Sequence, residues 1–127
     1  MKKFMVVAVV LAFLMSCGGG DSTKGKEEKK ADSGDITTNP DYQKGLDLVA
    51  KSDCFTCHKV DEKIQGPTYR DVANKYASYP DTIVAHLASK VIKGGSGVWG
   101  EIPMTPHPAL TEDEAQSMVK YVLLLKN

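Results

Sequence analysis

The chain has 127 residues, enough for one domain, and balances 16 Lys and Arg against 16 Asp and Glu. That balance excludes nucleic-acid binding by bulk electrostatics, which needs a basic surface to displace counterions from phosphates. Hydrophobic residues at 42% and charged residues at 25% exclude a wholly disordered chain.

In chain order, the first element is an export signal. Lys2 and Lys3 precede an uncharged apolar run over residues 4–15, followed by Ser16. The run is shorter than the ~20 residues that a membrane-spanning helix needs, so residues 1–16 read as a secretory signal peptide. Leu14-Met15-Ser16-Cys17 resembles the lipobox of bacterial lipoproteins, which implies lipidation of the Cys17 thiol and cleavage just before it. The alternative is a soluble exported protein cleaved nearby. Several acyl chains on Cys17 would give lasting membrane anchorage. Residues 17–38 then form the lipidated Cys and a tether. In residues 18–38 only Ala31 and Ile36 are apolar, too little to offset the entropy of ordering. A flexible tether of that length has an end-to-end distance of ~25 Å.

Residues 39–127 are expected to fold as the single domain. Asn39-Pro40 is a helix cap followed by a proline suited to the first turn, and Tyr42, Leu46, Val49 and Ala50 form the apolar stripe behind it. A second helix follows Pro67, with Tyr69, Val72, Ala73 and Tyr76 on one face. A third starts around Pro80-Asp81, carries Ile83, Leu87, Ala88 and Val91, and stops at Gly94-Gly95. The last opens on Thr111-Glu112-Asp113-Glu114, a capping box whose carboxylates favour the positive end of the helix dipole. It continues through Ala115, Met118, Val119, Val122 and Leu125. No stretch alternates with the period of a strand, so the fold class is all-α, with about four helices.

The chemistry lies in Cys54-Phe55-Thr56-Cys57-His58. Two thiols three positions apart can add to the two vinyl groups of one haem, and the adjacent His can reach its iron. A zinc site would need two more ligands at matching spacing, and His86 and His107 are distant and unpaired. A thioredoxin-like pair would need a βαβ context that is missing. The expected cofactor is therefore one haem c, bound covalently through Cys54 and Cys57 with His58 on the iron.

For the second iron ligand two methionines remain beyond the signal, Met104 and Met118. Met118 falls on the apolar stripe of the last helix and reads as core. Met104 lies in Ile102-Pro103-Met104-Thr105-Pro106-His107-Pro108, where prolines stiffen the backbone and prevent a helix. Its thioether, a soft neutral ligand, would stabilise ferrous iron. His107 is a competitor that would give a bis-His iron, and His86 lies near the apolar face of the third helix.

The order helix, CxxCH, Gly66-Pro67, helices, Val98-Trp99-Gly100-Glu101-Ile102-Pro103-Met104 and final helix resembles the small bacterial class I cytochromes c of the cytochrome c-551 type. The resemblance covers nearly all of residues 40–127. It implies a small bundle of helices wrapped around one haem, with the first and last helices crossing. By the same resemblance the carbonyl of Pro67 accepts the Nδ1 proton of His58, and the indole of Trp99 meets a haem propionate. Where the family often has an Asn bonded to the methionine sulfur, this chain has His107. The family's basic residue near a propionate falls on Lys90 or Lys93.

These readings imply a membrane-anchored monohaem cytochrome c. It would be a one-electron carrier rather than an enzyme, because His/Met iron leaves no open position for a substrate. Expected partners are redox proteins of the cell envelope: a donor such as a quinol–cytochrome c reductase, and an acceptor such as a terminal oxidase, reductase or peroxidase. The haem domain would lie in the periplasm or on the outer face as a monomer, held by the lipid anchor. The alternative is a haem-based sensor or peroxidase-like protein in which the methionine dissociates.

Overall fold

A computed structural model describes residues 35–127, and the expected signal, Cys17 and nearly all of the tether lie outside them. Four α-helices form among the described residues: α1 (Pro40–Lys51), α2 (Tyr69–Tyr76), α3 (Thr82–Lys93) and α4 (Glu112–Leu124). Short 3-10 turns precede and follow α1, at Ile36–Thr38 and Cys54–Thr56.

Local chemistry explains each helix start. Asn39 Oδ1 accepts from the Asp41 amide at 2.8 Å, and Pro40 occupies the first turn, where a missing N–H costs nothing. Thr68 Oγ1 accepts from the Asp71 amide at 2.9 Å to start α2. Both halves of the capping box on α4 are present: the Thr111 hydroxyl accepts from the Glu114 amide, and the Glu114 carboxylate accepts from the Thr111 amide at 2.9 Å. Asp81 precedes α3 without a side-chain cap. Gly94 ends α3 at φ 66°, a conformation that costs glycine little.

α4 lies at the centre, packed against α1, α2 and α3. Its buried face (Ala115, Met118, Val119, Tyr121 and Val122) meets Val49 of α1 and Tyr69 and Ala73 of α2 on one side, and Ala88 of α3 on the other. α1 and α4 approach so closely that a methyl group on Gly45 would run into the Ser117 carbonyl and the Tyr121 Cβ. Within the expected stripe of α1, Ala50 faces solvent, and half-buried Leu48 packs on the core instead. The first described residues also take part: Ile36, assigned to the tether by composition, rests against the same core.

One element departs from the sequence-based expectation. The segment read as a proline-stiffened loop forms an antiparallel hairpin, β1 (Gly95–Gly97) and β2 (Gly100–Met104), pairing Gly95 with Met104 and Gly97 with Gly100. Backbone pairing builds it, with Gly95, Gly97 and Gly100 all at positive φ. No apolar alternation announces such a pairing. The helical class stands, with this two-stranded ribbon added.

Candidate functional site

The turn after α1 sets the two cysteines and the histidine together. Asp53, at φ 57° in the left-handed region, breaks the helix. The Cys57 and His58 amides then donate to the Cys54 carbonyl at 3.2 and 3.0 Å. Burial pushes the Cys54 thiol up from its ordinary pKa, which keeps it neutral at physiological pH. Cys57 Sγ donates to Gln65 Oε1 at 3.3 Å.

His58 is held on several sides. Its Nδ1 lies 2.8 Å from the Pro67 carbonyl, an arrangement that places the proton on Nδ1 and leaves Nε2 bare. The ring stacks on Tyr69, with centroids 5.4 Å apart and planes 16° from parallel. Gly66 crosses so near that a methyl group there would fall 2.7 Å from Nδ1 and 2.9 Å from Nε2. Tyr69 is itself buried, and burial raises its phenol pKa. The contribution of Tyr69 to this site is invisible in the sequence, where it reads only as one position of a helical stripe.

Facing this turn is a cavity of about 960 Å³. Cys54, Cys57, His58, Pro67, Trp99 and Met104 all line it, together with apolar side chains that include Val49, Leu87, Val91 and Val122. Met104 ends β2, and Gly94 packs so tightly on the Met104 carbonyl and Pro106 that a side chain at 94 would collide with them. Met118 also reaches the cavity wall but is 2% exposed and belongs to the core. Trp99, 41% exposed, sits at the turn of the hairpin, edge-on to Tyr76 and with Lys75 Nζ 5.4 Å from its ring centroid.

Polar side chains also line the cavity. Lys90 lies on the cavity wall, whereas Lys93 is not among the lining residues. His86 and His107 both line it, and Nδ1 of His107 is buried without a partner. Among the described residues no three His, Cys, Asp or Glu side chains gather into a metal-ion cluster. The cavity therefore combines two thiols, an oriented imidazole, a thioether and apolar walls with a cationic lip. That donor set fits a bulky planar prosthetic group attached through thioethers, with nitrogen and sulfur donors for its iron.

Comparison with known proteins agrees with this chemistry. The family model described as cytochrome c matches residues 42–126. Cytochrome c-552 of Nitrosomonas europaea is 40% identical over 84 residues, covering 66% of this chain and 81% of the relative. Cytochrome c-551 of Pseudomonas aeruginosa is 44% identical over 79 residues, covering 62% of this chain and 74% of the relative. Among solved structures, wild-type Nitrosomonas europaea cytochrome c552 superposes with a TM-score of 0.60 at 41% identity, over 64% of this chain and 99% of that one.

Proposed function

Because the chain belongs to the cytochrome c family, we propose that it is a monohaem electron carrier of the cell envelope, anchored to a membrane through lipidated Cys17. It carries one covalent haem c. Cys54 and Cys57 hold the haem through thioethers, and His58 and Met104 serve as its iron ligands. The observation that carries this assignment is the convergence of all four side chains on one cavity.

When bound, the haem supplies a reversible one-electron change at its iron. The chain's own groups prepare the site for that change. The Pro67 carbonyl fixes the His58 tautomer and strengthens its donation through Nε2. Met104, neutral and soft, favours the ferrous state and raises the potential. Val49, Leu87 and Val122 keep water from the interior, and Trp99 and Lys90 offer an N–H and a cation to the propionates. With His58 and Met104 as its two ligands, the iron would have no open position for a substrate, which favours transfer over catalysis. Partners are redox proteins of the envelope, one donating and one accepting an electron.

No helix among the described residues is long and apolar enough to cross a membrane. The anchor is assigned to Cys17 on its lipobox-like context, with residues 18–38 as the tether that keeps the haem domain near its partners. Replacing Cys17 by Ser is expected to release soluble haem protein; unchanged membrane fractionation overturns the anchor.

The ligand set is tested by spectroscopy. Oxidised protein should show the weak far-red charge-transfer band of sulfur bound to ferric iron. Met104→Ala should abolish the band, lower the reduction potential and admit carbon monoxide to the reduced form. A band that survives the substitution refutes Met104 as ligand. Rapid carbon monoxide binding by the unaltered protein favours the sensor or peroxidase-like alternative.

A further inference from the structure

The buried Nδ1 of His107 needs an acceptor that the chain does not supply. Among the described residues it is the one buried side-chain nitrogen or oxygen without a hydrogen-bond partner, and the sulfur of Met104 does not serve as one. An unsatisfied buried N–H is costly, so such an atom usually marks a partner of another kind. The His107 backbone is fixed: its amide donates to the carbonyls of Val91 at 3.2 Å and Ile92 at 3.1 Å, and its carbonyl accepts from Leu110 at 3.1 Å. Those two residues directly follow Lys90, which lines the same cavity as His107.

Two tautomers are available to a neutral imidazole. A bare Nδ1 would need a donor, and the periphery of haem c brings none. Protonated, Nδ1 needs an acceptor, and the periphery of haem c carries two carboxylates. We infer that His107 donates its Nδ1 proton to a haem propionate beside Lys90, and so helps to set the reduction potential. His107 is a positioning residue that holds a carboxylate and partly neutralises its charge. The inference rests on the reading that the haem fills this cavity.

The test uses the full-length, haem-loaded protein with His107→Phe, which keeps a ring but removes the donor, and His107→Asn, whose amide N–H can replace Nδ1–H. In His107→Phe the propionate bending mode in the resonance Raman spectrum should shift, and the potential should fall because a less neutralised carboxylate favours ferric iron. The far-red band should stay, and His107→Asn should restore both values. A far-red band that moves while the propionate mode stays assigns the proton to Met104 sulfur and overturns the inference. No change in either also overturns it. If His107→Phe fails to mature, NMR of the reduced wild-type protein labelled with 15N-histidine decides. A His107 Nδ1 proton with cross-peaks to the propionate methylenes supports the bond, and their absence refutes it. Failure of the underlying reading looks different, because the wild-type protein then lacks the thioether-linked haem before any change at 107.

Discussion

At Gly66 the absence of one methyl group keeps the His58 ring in place. The backbone passes so near the imidazole that alanine would force the ring or the Gly66-Pro67 segment to move, disturbing the bond between Nδ1 and the Pro67 carbonyl. Overpacking of this kind costs about 1–3 kcal/mol. Gly66→Ala should therefore unfold at a lower temperature than wild type in thermal melts of the haem protein; an unchanged Tm would show that the loop yields freely. The two methionines separate at the same scale. Met118 is 2% exposed within the core, so Met118→Ala should cost about 2–5 kcal/mol while leaving the far-red band intact. Met104→Ala should remove the band. Denaturant titration and one absorption spectrum read both effects.

At the scale of elements, α2 shows how a short helix places a site. Eight residues are too few for helical propensity to hold it, so its cap and its packing carry the load. The Thr68 hydroxyl is the cap, on a residue only 6% exposed, and Tyr69 follows at the first helical position with its ring against His58. Thr68→Ala should cost about 1–2 kcal/mol, measured as a lower denaturation midpoint at unchanged slope, and Thr68→Ser should recover most of it. Equal stability of the Ala and Ser variants would show that the hydroxyl does not act as the cap. The hairpin is built differently. Its strands carry no buried stripe, and its residues are exposed except at Met104, so backbone pairing and the close contact of Gly94 with the Met104 carbonyl hold the Met104 end.

Across the whole domain, Arg70 joins distant parts of the chain. It pairs with Asp61 in the loop after His58 and donates to the Leu125 carbonyl at 2.6 Å and Asn127 Oδ1 at 3.1 Å. The Asn127 amide donates to Asn74 Oδ1 at 3.0 Å, which ties the chain end to α2. The hydrogen bond from Arg70 holds the Asp61 carboxyl below the usual range, and the Thr111 amide does the same for Glu114. A carboxylate with a lowered folded pKa contributes stability above its unfolded value, near 4, and loses it as pH falls through the folded value. Tyr69 acts at the other limit, since burial raises its pKa. Its contribution is complete below the unfolded value, near 10, and declines as pH rises beyond it. Thermal stability should therefore form a plateau between about pH 5 and pH 9, falling on both sides. Melting curves across pH check this, with Asp61→Asn reducing the acid slope and Tyr69→Phe the alkaline one. A Tm that rises below pH 4 contradicts the assignment.

The amino-acid order alone determined the chemistry and the helices. CxxCH is a reactive unit whose spacing is local, and caps such as Asn39-Pro40 and the Thr111–Glu114 box act within one turn, so both are legible without a fold. Met104 stood out because its neighbouring prolines excluded a helix there. The tertiary structure decided what depends on chain segments meeting. It brought Gly66 against His58, stacked Tyr69 on the same ring and paired the glycines into a hairpin. It also put Lys90 rather than Lys93 on the cavity wall and left the Nδ1 of His107 buried without a partner. The physical reason is range. Periodicity and capping act over three or four residues, whereas these contacts depend on where α3, the hairpin and the loop after His58 come to rest around one shared cavity.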